Sequence, residues 1–183
     1  MKQDPSKIIK IQTMATKLRR SVVEMLYNAK SGHPGGSLSI ADILSVLYFG
    51  GQLKYDAKNP ELDSRDVLVV SKGHSSPAVY SALALAGFCD INETMSFRQI
   101  GSMFQGHIDR MRVPGVEMST GSLGHGLSNA LGMALAAKLD NNPKTVFAIL
   151  SDGEMQEGSN WEAIMAAAHF KMSNMIVFLD RNR

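Results

Sequence analysis

Apolar residues recur at helical spacing from Ile8 to Ala29. Ile8, Ile11, Ala15, Leu18, Val22, Met25, Leu26 and Ala29 fall on one stripe. That predicts a long amphipathic helix. Ser31-Gly32 stops it, and Pro34 prevents a restart. A second helix is predicted from Ile40 to about Phe49, capped by Ser39, with Ile43, Leu44, Leu47 and Tyr48 facing inward. Residues 52–64 are polar and irregular. Val67 to Val70 is fully apolar and short, which predicts a buried strand. Pro77, placed for a first turn, opens a helix through Ala86. Asp90-Ile91-Asn92-Glu93 has the form of a capping box for a short helix to about Phe97. Residues 99–118 read mostly as loop. A helix rich in Ala and Met follows from Leu127 to about Leu139, broken by Asn141-Asn142-Pro143.

The last part of the chain predicts a β-α-β unit. Thr145 to Leu150 and Met175 to Leu179 are β-rich apolar runs. Between them Gly158 to Lys171 is helix-length, with Trp161, Ile164, Met165 and Ala168 on one face. Such units cross over into parallel neighbours, so both strands end at one sheet edge. The fold class is α/β with a mostly parallel sheet, and ligands of such sheets bind beyond the carboxyl ends of the strands.

Asp152 and Asn182 arrive at that edge. A carboxylate and an amide carbonyl are hard oxygen donors suited to Mg²⁺ or Ca²⁺. Gly153 beside them would let a phosphate approach the backbone. Asp-Gly is also a common turn, so the local pattern leaves both readings open. Val67 to Val70 delivers Ser71-Lys72-Gly73-His74 to the same edge, between a strand end and a helix start, where anions bind. His33 lies in the loop Ser31 to Ser37, and His107 follows Gly106. Thr120-Gly121-Ser122-Leu123-Gly124-His125-Gly126 forms a second glycine-rich turn before a helix. It lacks the dinucleotide-binding spacing. His169 reads as a helix-end residue facing the dipole. The twelve methionines read as core filling.

Composition narrows the classes. The chain has 183 residues, 44% hydrophobic and 20% charged, enough for one domain with a core. A formal net charge of +2, with no Lys/Arg run, does not suggest a nucleic-acid partner. No stretch has the length of a membrane span, and the N-terminus has no signal-peptide core. A single cysteine, Cys89, fits a reducing compartment, so a cytoplasmic location is expected.

Taken together, five loops resemble the N-terminal part of transketolases, which use thiamine diphosphate. They are Ser31-Gly32-His33-Pro34-Gly35-Gly36, Ser71-Lys72-Gly73-His74, Gly106-His107, Thr120 to Gly126, and Ser151-Asp152-Gly153 with Gln156-Glu157-Gly158 through Asn182. They stand in family order and cover nearly the whole chain. The wording Lys-Gly-His-Ser-Ser-Pro is most similar to split transketolases, whose halves are separate polypeptides. The resemblance implies a three-layer α/β/α domain of the thiamine diphosphate-binding (PP) type over 1–183, incomplete at its C-terminal end. Asp152 and Asn182 match metal ligands. His74, Gly121, Leu123, Gly153 and Glu154 match positions around the cofactor. His33 and His107 match histidines that face substrate. Glu157, assigned with them to catalysis, and Glu162 match acidic residues near a dimer contact. The implied activity is transfer of a two-carbon ketol unit from a ketose (phosphate) to an aldose (phosphate), as in pentose phosphate metabolism. It requires thiamine diphosphate, Mg²⁺ or Ca²⁺, and a C-terminal subunit carrying the pyrimidine-binding domain, in a dimer or heterotetramer.

The sequence departs from the family pattern in places. Ser151 stands where Gly is usual, and His125 replaces a common Gln. The glutamate that activates the aminopyrimidine and the basic residues that grip the sugar phosphate belong to the other domain. The chain stops one residue after Asn182, which leaves an alternative: a catalytically inactive interaction or regulatory protein.

Overall fold

The computed structural model describes residues 4–181. Its sheet has three parallel strands in the order β1 (Val67–Val70), β2 (Val146–Ser151), β3 (Met175–Asp180). Val70 pairs with Ile149, and Ser151 pairs with Asp180, so all three strands end on one edge. β1 and β2 are buried throughout, as fully apolar runs in a parallel sheet require. β3 leaves Ile176, Val177 and Leu179 about half exposed.

Helices cover both faces of this sheet. On one side lie α1 (Pro5–Ala29), α3 (Ala41–Phe49) and α4 (Ser76–Ala86), whose Leu18, Val22, Leu44 and Leu83 share one buried core with Leu68, Val70, Phe147 and Ile149. On the other, α5 (Gly126–Leu139) and α6 (Gly158–His169) bring Leu127, Ala130, Ala134 and Ala163 against Val69, Ala148 and Leu150. The alternation along each strand divides the two cores, because successive side chains point to opposite faces. Among the described residues, no helix is long and apolar enough to cross a membrane.

Several elements differ from the sequence reading. The helix predicted from Ile40 starts earlier and is broken. A short α2 (Pro34–Ser39) begins within the expected loop, with Pro34 at its first turn, where the missing N–H costs nothing. It gives way to α3 at Ile40. Ser39 caps neither helix; its hydroxyl reaches Asp180 Oδ2 at 2.6 Å. The short helix before Phe97 is a single 3₁₀ turn, Glu93–Ser96. Asp90 holds the turn before it by accepting the Asn92 N–H. On α6, Trp161, Ile164 and Met165 are exposed, and the opposite face, with Asn160 and Ala163, is buried. Periodicity located that helix but not its inward side, which carries the small Ala163 where α6 packs beside α5. Methionine does mostly fill the cores: Met25 is fully buried, and Met95, Met103, Met118, Met133, Met155, Met172 and Met175 pack against them, whereas Met111 and Met165 are exposed.

Candidate functional site

The carboxyl edge of the sheet gathers the loops that follow β1 and β2. Ser71 continues the β1–β2 ladder, its N–H donating to Ile149 O at 2.9 Å. A 3₁₀ turn, Gly73–Ser75, then carries His74. The loop holding His107 and the Thr120–Gly121 turn interlock with it. Ile108 N–H donates to Gly73 O (3.3 Å), Thr120 N–H to Ile108 O (3.1 Å) and Thr120 Oγ1 to Val70 O (2.8 Å). Gly73 is required here, because a Cβ would sit 2.2 Å from Thr120 O.

His33, at the N-cap of α2, is exposed and stacks edge-on with His74. His74 is half-buried, and its pKa is held below the usual imidazole value. Burial is the main cause, followed by the positive charges of His33, Lys72 and His107, with Glu154 opposing. His107 is exposed in an open cleft with Gln105, Asp109 and Ser119. Its backbone carbonyl accepts from Tyr80 OH at 2.9 Å, and its ring lies against Gly121, where a Cβ would meet Cδ2 at 2.8 Å. Thus residues from three separate loops, His33, His74 and His107, share one mouth.

At the end of β2, Asp152 N–H donates to Asp180 O (3.1 Å), which ties the two strand ends together. Asp152 Oδ1 accepts the Gly153 N–H at 3.0 Å. Gly153 is exposed and begins a 3₁₀ turn to Gln156. Asn182, predicted as the second metal ligand, lies outside the described residues.

Glu154 takes a structural position that its sequence did not announce. Its carboxylate is buried and turned inward, away from solvent. Oε1 accepts from the Ser71 hydroxyl and from Gly124 N–H (3.4 Å), and Oε2 from Ser151 N–H (3.0 Å) and Ser151 Oγ (3.1 Å). One side chain therefore ties the ends of β1 and β2 to the second glycine-rich turn. Ser151 supplies two of these bonds, one of them from its side chain. Leu123 is partly exposed beside that turn. Gly124 faces Glu157, where a Cβ would meet Glu157 Cβ at 2.5 Å, and Ser159 Oγ bonds Gly124 O at 2.7 Å. Glu157, the N-cap of α6, and Glu162 are both exposed. His125 is exposed too, its Nδ1 3.4 Å from Ser122 Oγ.

Two further residues were missed from sequence. Lys72 is fully buried and pairs with Asp180 beneath the His33 loop. The available signal was a pair of opposite charges, each next to an apolar strand end.

Residues 10–183 match the family model described as transketolase, thiamine diphosphate binding domain. The 6-deoxy-6-sulfo-D-fructose transketolase subunit SqwG of Clostridium sp. is 43% identical over 175 residues, covering 96% of this chain and 63% of that protein. An apulose-4-phosphate transketolase subunit of Phocaeicola vulgatus is 41% identical over 173 residues, covering 94% of this chain and 61% of its own length. The crystal structure of transketolase from Campylobacter jejuni superposes with a TM-score of 0.87 at 38% identity, over 97% of this chain and 28% of that one. The chain thus spans under two-thirds of the curated relatives it matches.

Proposed function

Because this chain belongs to the transketolase N-terminal, thiamine diphosphate-binding family, we propose that it holds the metal–diphosphate end of that cofactor at the carboxyl edge of its sheet. The observation that carries this reading is the convergence there of His74, the Gly121 turn and Asp152-Gly153. The residues fit such a group. A Cβ built on Gly153 has nothing within 4 Å, so the backbone is open to a diphosphate. Asp152 offers a half-buried carboxylate, a hard donor for Mg²⁺ or Ca²⁺. Among the described residues, no three His, Cys, Asp or Glu side chains converge on a metal position. Asn182, water and the diphosphate would supply the remaining oxygens.

Bound thiamine diphosphate supplies an electron sink for breaking and forming the carbon–carbon bond. This chain's contribution is to bind, orient and move protons. His74, kept neutral by burial, donates or accepts a hydrogen bond at the diphosphate side. Gly121 and Leu123 border the rings. His33 and His107, exposed at the mouth, exchange protons with sugar hydroxyls. Glu157 and Glu162 lie on the side that meets a second subunit.

The reaction is transfer of a two-carbon ketol unit from a ketose to an aldose, carried out with a polypeptide that bears the pyrimidine-binding domain. Two relatives named as subunits support that division of labour. Their names, a sulfosugar and a sugar phosphate, favour an anionic ketose as substrate class. The single, free cysteine, Cys89, fits a reducing, cytoplasmic setting. Calorimetric titration of thiamine diphosphate and Mg²⁺ into the chain, alone and with its partner, tests the proposal. Binding in at least one arrangement is expected. A folded protein that binds in neither is the inactive, regulatory alternative, and the proposal fails.

A further inference from the structure

Lys72, Ser39 and Asp180 form a cluster that none of the groups proposed for chemistry explains. Lys72 is fully buried, and its ammonium uses all three donors. They go to Gly36 O at 2.8 Å, Ser39 Oγ at 3.3 Å and Asp180 Oδ2. The Ser39 hydroxyl has a single proton. The 2.6 Å contact directs it to Asp180 Oδ2, so Ser39 accepts from Lys72 and donates to Asp180. All three Lys72 donors and the Ser39 proton are thereby partnered.

A buried ion pair of this kind contributes little net stability over a well-packed apolar pair, because desolvation of both charges offsets their attraction. What it does provide is a fixed geometry among the elements it joins. Here those elements are three. Gly36 and Ser39 belong to α2, whose N-cap is His33. Lys72 lies two residues before His74, and a Cβ on Gly36 would stand 3.2 Å from His74 Nε2. Asp180 ends β3, and its carbonyl accepts the Asp152 N–H.

We propose that Lys72 and Asp180 are positioning residues: their ion pair sets the seat of His33 and His74 against the strand end that carries Asp152. The proposal rests on the thiamine diphosphate reading for its effect on turnover, but its geometric part is independent of it. α2 is a single short helix with no side-chain cap. Without the lysine its register against β3 has no other charged anchor among the described residues.

The test is an apolar replacement in the full-length polypeptide, Lys72→Met with Asp180→Leu, compared with Asp180→Asn. The histidines are labelled with ¹⁵N and followed by NMR, alongside thermal unfolding and steady-state kinetics with the partner polypeptide. The double variant is expected to unfold within a few degrees of the parent. Its His33 and His74 ring resonances should nevertheless shift, and kcat per cofactor-loaded site should fall roughly tenfold or more, as a small misplacement of reacting groups does. Asp180→Asn keeps the shape and supplies the same NMR readout if the double variant does not fold. Unmoved His33 and His74 resonances in a folded variant overturn the proposal, as does an unchanged kcat in the loaded double variant. Failure of the parent protein to bind thiamine diphosphate sinks the functional reading instead, and the histidine spectra then decide the positioning claim alone.

Discussion

The imidazole of His33 stands edge-on to that of His74, with ring centroids 5.3 Å apart and planes at 69°. His33 comes from the loop between α1 and α2 and His74 from the turn between β1 and α4, and Gly36 lets them meet because a Cβ there would press on both His74 and Ser75. A positive charge on His33 this close disfavours protonation of His74. Burial of His74 acts in the same direction, and more strongly.

A pH dependence follows. The folded-state pKa of His74 lies below its ordinary 6.5. The unfolded chain therefore binds a proton that the folded chain resists. The stability linked to this residue is fully present above 6.5. It is lost as pH falls through that value toward the folded-state pKa, and the loss is complete below it. Thermal midpoints measured from pH 7.5 down to 5, choices of roughly this window, should decline in the parent and decline less in His74→Gln. Equal slopes would show that His74 is not the group responsible.

Asp152→Ala should separate binding from folding. The side chain is half-buried, and its bond within the protein is to its neighbour's N–H. Loss of such a cap costs about 1 kcal/mol. Affinity for thiamine diphosphate with Mg²⁺ should collapse while the unfolding midpoint moves little. An unchanged dissociation constant by calorimetry would refute the ligand assignment.

His107→Ala should show a different pattern. The ring sits over Gly121 in the open cleft, and it is the His107 backbone, not the ring, that Tyr80 holds. Cofactor affinity is expected to persist while kcat falls, by about a hundredfold if the ring transfers a proton. Lost cofactor affinity with full turnover at saturation would count against a substrate-facing role.

Much of this arrangement could be read from the chain. The strands were legible because each is a short apolar run bounded by polar or glycine-rich turns, and the parallel sheet follows from their crossover spacing. The length of α1 was legible from its stripe. What escaped were features that depend on tertiary partners. Pro34 looks like a breaker until it is seen to begin α2. Ser39 looks like a cap until Asp180 arrives from 141 residues away to take its proton. Trp161 looks like core because it is large and apolar, yet it is the small Ala163 that is buried where α6 packs beside α5. Glu154 looks like one of several polar residues after Asp152-Gly153, and only the folded chain shows which one turns inward.

Two glycine substitutions should behave oppositely. In Gly73→Ala the new Cβ meets backbone, Thr120 O at 2.2 Å and Gly121 N at 2.6 Å, so the loops must separate. A destabilisation of about 3 kcal/mol is expected from denaturant unfolding. In Gly153→Ala the Cβ meets nothing within 4 Å. Stability should change by less than about 0.5 kcal/mol, while cofactor affinity drops because the diphosphate can no longer approach the backbone. Full affinity in Gly153→Ala would place the diphosphate elsewhere.

The Glu154 carboxylate offers the sharpest energetic test. Glu154→Ala would leave the Ser71 and Ser151 hydroxyls and the Ser151 N–H without their acceptor in a buried site. Each unsatisfied group costs about 1–3 kcal/mol, so a loss of about 3 kcal/mol or more is expected. Glu154→Gln keeps one acceptor oxygen but must turn an NH₂ toward donors, so an intermediate loss should result. Ser151→Gly removes a single 3.1 Å bond. It should cost about 1 kcal/mol in the parent and much less in the Glu154→Gln background. The double-mutant cycle measures this directly. A coupling energy of zero would mean that Ser151 Oγ does not bond the carboxylate in solution.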